Sequence, residues 1–219
     1  MNGCLNKSLT EMKSVGKVFI AFVLILGIIG VFAQNDMIFS FYITFIAISS
    51  ASQVLEGNGT SWQTYEYMLP TSCEQSVSAV YIVSVIYNGI FFLGTLITHI
   101  AGGLICKAAD GALDLPKPED VTIMDGEFIK LLLFFSFFSL FMSGLSCAYF
   151  YRYRHISNRK VYIGAGIILL VSVAVSGIII GSEIVTLSWG IVIHTIIISL
   201  IVFPLSEKFS EFFYDKYRG

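Results

Sequence analysis

Phe128 to Phe150 reads FIKLLLFFSFFSLFMSGLSCAYF, and Lys130 is its only charge. A membrane-spanning helix needs about 20 largely apolar residues. This run supplies them, without the apolar–polar alternation of an outer-membrane barrel strand. Five further runs of the same kind lie at about 17–33, 37–55, 76–103, 161–180 and 184–204. The expected fold class is all-α: a polytopic membrane protein with six transmembrane helices, forming one transmembrane domain over 1–219. The composition agrees. Of 219 residues 56% are hydrophobic and 13% charged, against about 25% charged in a soluble domain. An ordinary soluble enzyme is excluded. A net charge of −2 points to neither a nucleic-acid binder nor a polybasic peripheral protein.

The placement of Lys and Arg orients the spans. Six spans put the N-terminus, the 56–75 loop, the 151–160 turn and the C-terminus on one side. That side carries Lys7, Lys13, Lys17, Arg152, Arg154, Arg159, Lys160, Lys208, Lys216 and Arg218, while the other carries Lys107, Lys117 and Lys130. Both termini are therefore expected in the cytoplasm, with the acidic 104–127 loop outside. At about 1.5 Å per residue the 76–103 run exceeds the ~30 Å hydrocarbon core; it must tilt, kink near Gly89 or Gly94, or project. The last span is expected to stop near Pro204, and the tail 205–219 to form an amphipathic surface helix presenting Phe209, Phe212, Phe213 and Tyr217.

Little in the chain reads as catalysis. There is no H-E-x-x-H and no G-x-x-x-x-G-K-[ST], and Phe141-Met142-Ser143-Gly144 lacks the first glycine of the G-x-S-G of rhomboid-type proteases. Cys4, Cys73, Cys106 and Cys147 are scattered, with neither disulfide nor zinc spacing. No metal or cofactor is expected on the chain. Ionisable groups inside spans are default functional candidates. His194 sits about 16 Å along the last span from Glu183 and on nearly the same helical face, with Thr186 and Gly190 beside that stripe. These residues, and His99 near the outer end of the third span, are candidates for a translocation path; the plainer alternative is structural hydrogen bonding. Gly177 and Gly181 form a small-xxx-small pair, and Gly164 and Gly166 open the same helix, so close helix approach is expected there.

The segment from Glu56 to Tyr81 carries only acids, Glu56, Glu66 and Glu74, with Trp62, Tyr65 and Tyr67. Pro70 followed by Thr71, Ser72 and Glu74 reads as a helix start, with Ser or Thr as N-cap and an acid in the first turn. A structured, aromatic, membrane-adjacent helix is either a docking surface or a loop lying in the lipid interface.

At this segment the sequence resembles short permeases of the type-2 ATP-binding-cassette (ABC) exporter class. Glu56, Tyr65, Leu69-Pro70-Thr71-Ser72, Val77 and Tyr81 match that class, and Tyr149 to Val161 resembles its basic turn before the fifth span. Cys73 and Val80 depart from it, standing where Arg and Lys are usual. The resemblance implies a permease subunit in a bacterial plasma membrane that exports an amphipathic peptide or drug-like substrate. It implies two copies of a cytoplasmic ATPase carrying ATP and Mg, and a second permease, identical or related. The coupling segment would be 56–76, with Glu66, Leu69, Pro70, Thr71, Ser72, Cys73, Glu74 and Gln75 meeting the ATPase. Two other readings stay open: a small proton-coupled carrier using His194 and Glu183, and an accessory membrane subunit.

Overall fold

A computed structural model of the chain describes Ala21, Ile25 and residues 72–108, 126–153, 158–181 and 187–218. The expected spans 17–33 and 37–55, most of the 56–76 segment and most of the 104–127 loop lie outside them. Every regular element among the described residues is helical. They are α1 (Cys73–Ala108), α2 (Gly126–Tyr153), α3 (Asn158–Gly181) and α4 (Trp189–Arg218). Among the described residues three helices are long and apolar enough to cross a membrane, over Glu74–Leu104, Gly126–Tyr153 and Trp189–Lys216; a shorter apolar stretch, Ile163–Val175, lies in α3.

Side-chain pairing gives the topology. α1 meets α2 at Tyr81 and Gly144, at Asn88 and Ser139, and at His99 and Phe128. The numbers rise along one helix as they fall along the other, so the two are antiparallel. α2 meets α4 at Lys130 and Trp189, at Phe137 and Ser199, and at Tyr151 and Tyr214. Both numbers rise together, so α2 and α4 are parallel. The chain must return between them, and α3 does so, placing Gly164 against Tyr149. One end of the bundle, the basal end, therefore gathers the start of α1, the end of α2, the start of α3 and the end of α4.

α1 is a single helix of 36 residues, about 54 Å long at 1.5 Å per residue. It starts where an N-cap is available: Gln75 N–H donates to Ser72 Oγ at 3.3 Å, and Glu74 complements the positive helix end.

α4 corrects the expectation of a stop at Pro204. The helix runs through that proline to Arg218. A proline inside a helix removes one backbone hydrogen bond and costs about 3 kcal/mol in water. In membrane helices neighbouring helices and Ser side chains compensate. The carbonyl that Pro204 frees is that of Leu200, one turn back; beside the proline, Ser206 Oγ donates to the Phe203 carbonyl at 2.6 Å, and Phe203 packs edge-on against Tyr81.

The core has two parts. The distal one holds Phe128, Leu132, Phe134, Phe135, Met142, Leu187 and Val192. The basal one holds Val77, Val80, Tyr81, Cys147, Phe150, Tyr151 and Tyr214. Cys147 is buried there.

Candidate functional site

The basal end is built where the first turns of α1 lie against α4 beyond Pro204. Ser78 Oγ donates to Glu207 Oε1 at 2.6 Å. One turn on, the Tyr81 and Ser210 hydroxyls lie 2.8 Å apart, and Tyr81 also reaches the Gly144 carbonyl of α2 at 3.4 Å. At the outer edge of this seam Lys208 joins Glu74 of α1 at 3.2 Å to Glu211 at 2.8 Å. Lys208 and Glu74 are exposed, and solvent screening leaves such pairs little stabilising weight. The inner contacts matter more, because Tyr81 and Ser210 are buried and a buried hydroxyl without a partner is costly.

The face that α4 buries here is its small polar one. Ser206, Ser210 and Tyr214 recur every four residues and are buried, while Phe209 and Phe212 are exposed. The tail is thus a helix whose Phe209 and Phe212 point away from the bundle, while Tyr214 packs inward against Tyr151. Lipid is as apolar as phenylalanine, so a membrane bundle gains little by burying Phe and gains from placing small polar groups between helices.

A second polar seam lies deeper between α1 and α2. Ser139 Oγ donates to Asn88 Oδ1 at 2.7 Å, and the Asn88 amide donates to Ser136 Oγ at 3.2 Å. All three residues are buried. Asn88 was not among the sequence candidates. Its signal was a lone amide in an apolar run, to be matched with the serines at 136 and 139 on the helical face that 143 and 146 continue.

Of the coupling candidates, Glu66, Leu69, Pro70 and Thr71 lie outside the described residues. Ser72 is the N-cap, Cys73 opens α1, Glu74 pairs with Lys208 and Gln75 N–H is the capped donor. Of the path candidates, Glu183 and Thr186 also lie outside. His194 is on an exposed face of α4, its Nδ1 2.7 Å from the Gly190 carbonyl of its own helix. His99 stacks on Phe128 with ring centroids 3.5 Å apart, near the Glu127–Lys130 pair. His99 thus meets α2, and His194 the backbone of its own helix. Among the described residues no cluster of His, Cys, Asp or Glu could hold a metal.

Of the glycines, Gly164 does sit under a neighbour: an added Cβ would run into the Tyr149 ring. Gly166 and Gly177 face nothing within 4 Å among the described residues. The other tight helix approach is at Gly144, against Ser206 and Phe203 of α4.

Apolar helices held together by buried hydroxyl and amide contacts, with a charged seam at one end, define a membrane-embedded helical protein. Residues 7–215 match the model of the family described as ABC-2 family transporter protein, and the chain belongs to that family. It is the membrane component of an ABC transporter and is not itself the catalytic part. Neither a curated protein nor a solved structure matches it.

Proposed function

We propose that the chain is the permease of an ABC exporter, with six spans and both termini in the cytoplasm of a bacterium. It works as a dimer with an identical or related permease and moves an amphipathic peptide or drug-like molecule outward. Two separate ATPase chains bind and hydrolyse ATP with Mg, and residues 56–76 receive their movement. The observation that carries this reading is the basal seam. The coupling candidates lead directly into α1, with Ser72 as the cap, and the first turns of α1 are tied to α4 through Ser78–Glu207 and Tyr81–Ser210. A displacement before Ser72 therefore reaches two long helices together. The gathering of α1's start, the α2–α3 turn and α4's end at one pole supports the cytoplasmic assignment of that pole.

The test is transport by the permease–ATPase complex in proteoliposomes. Replacing Pro70-Thr71-Ser72 by Gly-Ser-Gly should leave the permease inserted while abolishing substrate-stimulated ATPase activity. Unchanged stimulation in that variant defeats the coupling assignment. A second arm dissipates the proton gradient with ATP present, and then removes ATP with the gradient intact. Transport should survive the first treatment and stop in the second. The opposite outcome, together with loss of transport in both His194→Gln and His194→Leu, would establish a proton-coupled carrier instead.

A further inference from the structure

At the basal end, away from the α1–α4 seam, two cations share one aromatic ring. The Arg152 guanidinium lies 5.2 Å from the Tyr153 ring centroid and 5.5 Å from that of Phe213 on α4. The Lys160 ammonium lies 5.3 Å from the same Tyr153 ring. Cations within about 6 Å of a ring face are held by its quadrupole. Both are exposed, and neither makes an ion pair among the described residues. Lys208, at the same end, is by contrast clasped by two carboxylates. The platform is fixed: Tyr149 donates to the Lys160 backbone carbonyl at 2.8 Å, tying α2 to α3, and Tyr149 packs on Tyr153.

What rises from Lys160 identifies the ligand. Ile163, Ile167 and Leu170 follow it at helical spacing along α3 and are 51%, 57% and 66% exposed. Two cations without an ion pair among the described residues, at the water end of a helix pair and continued by an exposed aliphatic stripe into the apolar layer, match one chemistry. That chemistry is a phosphate on a glycerol carrying acyl chains. We infer that Arg152, Lys160 and Tyr153 form a headgroup site for an anionic phospholipid, whose chain lies along Ile163, Ile167 and Leu170. A free phosphate would meet the cations but gain nothing from the stripe. A zwitterionic headgroup would bring its own cation to the same place.

Native mass spectrometry of the purified full-length chain tests this, with phosphatidylglycerol and phosphatidylcholine titrated in competition. Each basic residue near an anionic surface contributes about fivefold in binding at low salt. The Arg152→Gln/Lys160→Gln double variant should therefore lose about thirtyfold of the preference for phosphatidylglycerol. Lys208→Gln should keep the preference, as should the charge-conserving Arg152→Lys/Lys160→Arg pair. An unchanged preference in the Gln double variant overturns the site; if that variant instead fails to bind the ATPase, the patch docks protein. Its loss in the charge-conserving pair as well overturns it too. Displacement of phosphatidylglycerol from the wild-type chain by millimolar inorganic phosphate would show a free-anion site and overturn the lipid assignment. Lys160→Gln combined with Ile167→Asn should bind less phosphatidylglycerol than Lys160→Gln alone; equality removes the acyl track.

Discussion

Gly144→Ala probes the point where three helices meet. A Cβ there would lie 2.6 Å from Ser206 Oγ, 3.2 Å from Phe203 Cδ2 and 3.4 Å from Phe203 Cα. Comfortable carbon contacts are about 3.5–4.0 Å. Ser206 cannot yield freely, because it is buried and its hydroxyl donates to the Phe203 carbonyl one residue before Pro204. Either that hydroxyl rotates away and breaks its bond, or α4 moves off α2 and disturbs Tyr81, which reaches both the Gly144 carbonyl and Ser210. Overpacking of this kind costs about 1–3 kcal/mol. Up to about 1 kcal/mol returns from the better helix propensity of alanine. The expected net loss is about 1–2 kcal/mol.

Ser206→Ala removes the clashing oxygen and one interhelical-layer hydroxyl, and polar contacts in membrane bundles average about 0.6 kcal/mol. The double variant Gly144→Ala/Ser206→Ala should then cost little more than Ser206→Ala alone. The coupling energy between the two sites should be about 1 kcal/mol or more in favour of the pair. Steric-trap unfolding of the four proteins in bicelles measures it directly. Additive losses would refute the reasoning, since they would mean that Gly144 and Ser206 do not set the distance between α2 and α4.

Asn88→Leu leaves Ser136 and Ser139 without the side chain they face; the same unfolding assay should show a loss of about 0.6–1.7 kcal/mol, and Asn88→Gln should not restore it because the longer amide misplaces both contacts. Glu207→Gln keeps an oxygen for Ser78, so substrate-stimulated ATPase activity should stay near wild type. Glu207→Leu should lower that stimulation severalfold while leaving basal ATPase activity unchanged; equal behaviour of the two variants would separate the α1–α4 seam from coupling.

Reading the chain by rules learned in water found the elements but not the faces that join them. The apolar runs mark α1, α2 and α4 plainly, and Ser72 before Glu74 marks where α1 starts. Three features were misread or missed for one physical reason. Pro204 looked like a stop, the Ser206–Ser210–Tyr214 face of the tail went unread, and Gly144 mattered only as part of an incomplete protease motif. In water, phenylalanine is driven inward and the carbonyl that a proline frees one turn back takes a solvent partner. In lipid there is little gain in hiding phenylalanine from an equally apolar solvent, so small and hydroxylated residues can take the closest helix contacts. The repeats Ser136, Ser139, Ser143, Ser146 and Ser206, Ser210, Tyr214 were visible as text. Their meaning depended on which solvent surrounds the helix.

The same seams bear on how the proposed coupling would work. α1 is joined to α4 at Ser78–Glu207 and Tyr81–Ser210, and to α2 at Tyr81–Gly144 and Asn88–Ser139. α2 is joined to α4 along its length, from Lys130–Trp189 through Phe137–Ser199 to Tyr151–Tyr214. These contacts sit at both poles and in the middle, so sliding any one helix breaks several buried hydrogen bonds at once. Each such bond is weak alone, but together they favour motion of the three helices as one body. A push delivered ahead of Ser72 would then tilt the whole group, which is how alternating access is commonly produced: rigid-body rocking of one helical bundle against another. The 54 Å reach of α1, about 1.5 Å for each of its 36 residues, lets a displacement at the basal pole appear at the opposite side of an apolar layer about 30 Å thick.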